Sequence, residues 1–97
     1  MMSKKITPIH PGEHLAEFLE EFEVTPYRLA KEIHVPQTRV GEILKGKRGI
    51  TADTALRLSK YFDNTAQYWL NLQALYDMEI ARDAMGDELE SISTCAA

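Results

Sequence analysis

Leu15, Phe18, Leu19 and Phe22 recur at i, i+3, i+4 and i+7, the spacing that lines one side of a helix. His10-Pro11-Gly12 stands at its start. Proline suits a first turn, where its missing N–H is not needed, and the helix dipole favours Glu13 there. Thr25-Pro26 opens a second helix as N-cap and first helical residue, with Leu29, Ala30 and Ile33 on its inner side. That helix stops near His34-Val35-Pro36, because a residue preceding proline is pushed out of the helical region. A third helix runs from about Pro36 to Lys45 on a Val40, Ile43 and Leu44 stripe and ends at Gly46. Thr51 caps a fourth, with Asp53 in its first turn and Ala55, Leu56, Ser59 and Phe62 turned inward. Asp63-Asn64 closes it, with Asn64 read as the left-handed residue. Thr65 caps a long fifth helix reaching Met85, with Gly86 as its stop. No alternation of the kind strands need persists anywhere. The pattern predicts an all-α, five-helix chain.

Composition narrows this. Ninety-seven residues, 44% apolar and 27% charged, are those of one globular domain. We divide the chain into an N-terminal arm over 1–9, a folded domain over 10–86 and a flexible C-terminal tail over 87–97. No apolar run has the length of a membrane span. Met1 to Thr7 carries two lysines with no apolar stretch behind them, unlike a secretory signal. A single cysteine, Cys95, excludes an intrachain disulfide and a Cys-rich zinc module and fits a reducing, cytoplasmic setting. A chain this short buries a modest fraction of its surface, so a partner subunit would help it.

The net charge of −4 argues at first against nucleic acid, but the distribution matters more. Residues 1–27 carry net −3, residues 28–48 net +4 and residues 49–97 net −5. The basic middle holds Arg28, Lys31, Arg39, Lys45, Lys47 and Arg48. A local stripe of this kind binds an anionic polymer on an acidic chain. On charge alone, a solvated basic face accounts for it equally well.

The third helix separates the two readings. With Val40, Ile43 and Leu44 inward, Thr38, Gly41, Glu42 and Lys45 face out, flanked by Gln37 and Arg39. Gly41 inside a helix costs roughly 1 kcal/mol relative to alanine, yet it lets another surface approach the backbone. Gln37, Thr38 and Arg39 carry the donors and acceptors that read base edges in a major groove, and Glu42 can accept from a cytosine amino group. Lys45, Lys47 and Arg48 can neutralise phosphates. Thr25, Tyr27 and Arg28 at the start of the second helix can add phosphate contacts.

The stretch Ala30-Lys31-Glu32-Ile33-His34-Val35-Pro36-Gln37-Thr38-Arg39-Val40-Gly41-Glu42-Ile43-Leu44-Lys45-Gly46 resembles the helix-turn-helix of phage repressors of the Cro/C1 (XRE) class. His10-Pro11-Gly12-Glu13, Gly46-Lys47-Arg48-Gly49-Ile50-Thr51, Thr54-Ala55-Leu56-Arg57-Leu58 and Trp69-Leu70-Asn71-Leu72-Gln73 follow in the order seen in the HigA (VapI-like) antitoxins of bacterial toxin–antitoxin pairs. The resemblance covers roughly residues 9 to 80. It implies a lambda-repressor-like fold and two tasks. One is neutralising a RelE-like, mRNA-cleaving HigB toxin. The other is repressing the operon from a palindromic operator as a homodimer. Two positions depart from the class: His34 stands where glycine is usual in the turn, and Pro36 where a capping serine is common.

Other chemistries find little support. His10 and His14 are spaced like metal ligands but lack a third. No serine has an elbow or a paired base, and no phosphate loop or dinucleotide fingerprint is present. We therefore expect no enzyme, no metal and no cofactor. A stand-alone XRE-family repressor without a toxin is the principal alternative, and a helical interaction module without DNA binding is the other. Trp69, Leu72, Leu75, Tyr76 and Ile80 are expected to form a dimer seam on the fifth helix. A toxin acting on RNA is basic by family resemblance, so Glu17, Glu20 and Glu21 on the first helix, or else the acidic C-terminal part, are expected to receive it.

Overall fold

A computed structural model describes residues 7–95. The first six residues of the expected N-terminal arm, with the sequence read there as unlike a signal, lie outside that range, as do the last two of the tail. Among the described residues the elements are α1 (Pro11–Glu21), α2 (Pro26–Ile33), α3 (Gln37–Leu44), α4 (Ala52–Phe62), α5 (Ala66–Met85) and α6 (Asp87–Glu90). α6 is a single exposed turn inside the segment read as a flexible tail, so the chain has one helix more than its pattern predicts.

The capping signals act as read. Thr25, Thr51 and Thr65 each accept the backbone N–H three residues on, from Arg28, Thr54 and Tyr68. α1 is capped by an imidazole: His10 Nδ1 accepts the Gly12 N–H at 2.8 Å, and its ring meets Tyr76 edge-on. His10 is thus a structural cap. His34 takes the left-handed conformation (φ 62°, ψ 47°) in the helix-turn-helix turn, which histidine adopts more readily than most side chains. Pro36 is the N-cap of α3 and offers no side-chain bond, so α3 begins at Gln37.

The end of α4 differs from expectation. Asp63, not Asn64, takes the left-handed position. Asn64 Oδ1 instead accepts the Trp69 indole N–H at 2.9 Å, and that bond releases the indole to be fully buried. Leu56 also moves: it is 62% exposed, and Leu58 takes the inward place. With Ala55, Leu58 and Phe62 defining the stripe, Leu56 lies more than about 100° round the helix.

The core gathers Leu15, Leu19, Leu29, Ile33, Val40, Ile43, Ile50, Leu58, Phe62 and Trp69. α1 packs on α3 and α5, α2 on α3 and α4, and α4 on α5. The approach of α1 to α3 requires Gly12, because a Cβ there would overlap the Ile43 carbonyl oxygen. Trp69 is sealed inside this core at 0% exposure, so it cannot belong to the expected dimer seam. The aromatic rings of Phe18, Phe62 and Tyr68 close around it. Past Glu79 every described residue of α5 and α6 is exposed.

Candidate nucleic-acid interface

α3 is held by Val40 and Ile43, both 1% exposed. The opposite side is open: Gln37, Thr38, Gly41, Glu42, Lys45 and Lys47 line one shallow surface depression. Three of the four expected base readers and two of the expected phosphate contacts therefore share a single face. Nothing lies within 4 Å of where a Gly41 Cβ would sit, so the backbone is accessible there. Tyr27 and Arg28 are exposed at the start of α2, while the Thr25 oxygen is engaged as a cap.

Two of the three arginines of the set, Arg39 and Arg48, are braced. Arg48 Nε donates to Glu42 Oε1 at 2.9 Å, and its Nη2 lies 2.8 Å from the same oxygen. A residue expected to bind phosphate and one expected to bind cytosine thus hold each other. Arg39, on the flank of α3, donates from Nη1 to Asp53 Oδ1 at 3.2 Å. That same oxygen accepts Arg57 Nε at 2.7 Å. Arg57 Nη1 in turn donates to the Ile33 carbonyl at 2.8 Å and the His34 carbonyl at 3.3 Å. The hydrogen bond from Arg57, reinforced by the charges of Arg57 and Arg39, holds the Asp53 carboxyl below its ordinary range, against a smaller desolvation effect in the other direction.

The basic loop is fixed from behind. Gln73 Oε1 accepts the Ile50 N–H at 2.7 Å, and Gln73 Nε2 donates to Asp77 at 2.9 Å. From sequence, Asp53 is expected only to favour the first turn of α4 and Asn64 to close that helix, and neither they nor Arg57 and Gln73 are expected to take part in the interface. Asp53 and Arg57 carried a signal, since an i,i+4 acid–base pair on one helix is readable. Gln73 carried none, because its partner is 23 residues away.

The helix-turn-helix family profile matches residues 15–69. The chain is 51% identical over 74 residues to virulence-associated protein I of Dichelobacter nodosus, covering 75% of this chain and 68% of that one. It superposes on an addiction module antidote protein of the HigA family from Coxiella burnetii with TM-score 0.87 and 48% identity, over 92% of this chain and 98% of that one. The chain belongs to the HigA family of helix-turn-helix antitoxins. Another family member, Pseudomonas aeruginosa antitoxin HigA with the higBA promoter, matches with TM-score 0.86 and 43% identity over 94% of this chain and 100% of that one. Membership accounts for a domain built around one polar helix face and for the lack of any catalytic constellation in its sequence.

The other expected sites fall as follows. Glu17, Glu20 and Glu21 are exposed on α1. Glu20 and Glu21 lie about 12 Å along the helix from the Gly12 contact with α3. Leu75, Met78 and Ile80 are exposed on α5, and Ile9 is exposed ahead of α1. Leu72, Leu75 and Tyr76 line a groove with Ile9, His14 and Glu79. Among the described residues no three His, Cys, Asp or Glu side chains gather as a metal site requires, and no helix is long and apolar enough to cross a membrane.

Proposed function

We propose that this chain is the antitoxin of a type II toxin–antitoxin pair. It neutralises a RelE-like, mRNA-cleaving HigB toxin in the cytoplasm, and it represses its own operon by binding a palindromic operator as a homodimer. The observation that carries the reading is the open face of α3. Its polar residues and flanking lysines stand on a fold shared, at 43% identity, with a HigA described with its promoter DNA.

Gln37, Thr38 and Arg39 read base edges, and Lys45, Lys47, Arg48, Tyr27 and Arg28 contact phosphates. Two-fold operators call for two recognition helices about 34 Å apart. The dimer seam we assign is the exposed apolar stretch of α5, with Leu72, Leu75, Tyr76 and Ile80 but without Trp69. The toxin docks through Glu17, Glu20 and Glu21, away from the operator face. Complementary charge there speeds encounter.

The test is co-purification with the protein encoded beside it, followed by titration of the operon's promoter duplex against a random duplex. Specific binding should weaken with salt, and Lys47→Ala should weaken both duplexes and lower the salt slope by about one. A chain that binds no duplex at low salt and retains no neighbour is neither repressor nor antitoxin. Promoter binding without a captured neighbour favours the stand-alone repressor.

A further inference from the structure

We infer that Asp53, on the first turn of α4, is a specificity-determining positioning residue for operator recognition, acting by orienting Arg39. This rests on the reading of α3 as the operator-binding helix. The geometry has three parts. Asp53 Oδ1 takes its shorter bond, 2.7 Å, from Arg57, and the longer one, 3.2 Å, from Arg39. Arg57 is itself anchored on the carbonyls of Ile33 and His34 at the helix-turn-helix turn. The carboxylate is therefore a fixed post, tied through Arg57 to the end of α2, against which the recognition helix's arginine leans.

The charges work in the same direction. Two guanidinium groups share one carboxylate, so the cluster keeps a net positive charge. The closer Arg57 meets most of the demand of Asp53. Arg39 spends one N–H group on Asp53, and the rest of its fork remains for a bidentate contact with a guanine edge. A long side chain held in one geometry loses less conformational freedom when it meets its base. A lysine such as Lys47, exposed on the loop, acts instead as a point charge for phosphate. Asp53 is 58% exposed beside the operator face. Its own charge opposes the phosphates, so it lowers affinity for any duplex while improving the choice of the right one.

That opposition gives the test its sign. Asp53→Asn keeps the shape and removes the charge. Against the promoter duplex of the chain's own operon and a random duplex of equal length, Asp53→Asn should bind the random duplex as well as the parent chain or better. Its promoter-to-random ratio should fall roughly two- to tenfold, the range expected for freeing one flexible side chain. Asp53→Glu, which keeps the charge, should recover part of the ratio. In an Arg39→Ala background, Asp53→Asn should leave the ratio unchanged. Thermal unfolding of each variant shows that the folded chain is being compared. The inference is overturned if Asp53→Asn weakens both duplexes equally, if it raises the promoter-to-random ratio and so shows that Asp53 sequesters Arg39, or if its effect on the ratio persists without Arg39. Should the parent chain fail to discriminate between the duplexes, the operator-binding reading itself falls.

Discussion

The Gln73 amide on α5 accepts the backbone N–H of Ile50, where the basic loop enters α4, at 2.7 Å. The same amide fills the space above Gly49, where a Cβ would meet it at 2.8 Å. One side chain thus joins the helix we assign to dimerisation to the loop we assign to phosphate. Gln73→Ala leaves the Ile50 donor without its partner, at a cost of about 1–3 kcal/mol. A melt should show Tm lower by several degrees, since about 1 kcal/mol moves a domain of this size by roughly 4–8 °C. Salt-dependent duplex binding should weaken alongside, because Lys47 and Arg48 lose their fixed base. An unchanged Tm would mean that water replaces the amide freely.

Two glycines should respond in opposite ways. Gly12→Ala drives a methyl into the Ile43 carbonyl, and overpacking of this kind costs about 1–3 kcal/mol. Gly41→Ala meets nothing within 4 Å and removes a helix penalty of about 1 kcal/mol. It should therefore raise the urea midpoint while weakening promoter binding, since the methyl projects from the recognition face. Equal promoter affinity for Gly41→Ala and the parent chain would count against that face.

Acid should release the Asp53 cluster. Arg57 and Arg39 hold the Asp53 carboxyl below its ordinary range, so the unfolded chain takes up that proton at a higher pH than the folded one. The stabilisation is complete above the unfolded value, about 3.9, and disappears as pH falls through the folded one. The stability gap between the parent chain and Asp53→Asn should be level from pH 8 to pH 5 and shrink below about pH 4. A gap that widens in acid would contradict the arrangement.

Trp69 and Leu75, six residues apart on α5, should separate folding from assembly. Trp69 is fully buried and Leu75 is 56% exposed. Trp69→Ala should cost about 3–5 kcal/mol of fold stability. Leu75→Arg should leave the monomer's circular dichroism intact and shift sedimentation from dimer to monomer at tens of micromolar. Dimers that survive Leu75→Arg together with Ile80→Arg would place the seam elsewhere.

The sequence by itself determined the helices from α1 to α5, the threonine caps of α2, α4 and α5, and the polar face of α3. Those features depend on residues a turn apart: Thr25 on Arg28, Thr51 on Thr54, and Val40 with Ile43 on one stripe. Leu58 rather than Leu56 on the inner side of α4 follows from periodicity within that helix, which sets Leu58 with Ala55 and Phe62. The left-handed His34 was legible from the glycine that the helix-turn-helix class usually places in that turn. Tertiary structure decided what rests on distant partners. Which inward-facing aromatic of α5 became core was settled by Asn64, which satisfied the Trp69 indole and let it be buried. The bracing of Arg39 by Asp53 spans 14 residues and that of the loop by Gln73 spans 23. Helical periodicity is set within one element, whereas these bonds exist only after α4 and α5 have packed against the first three helices.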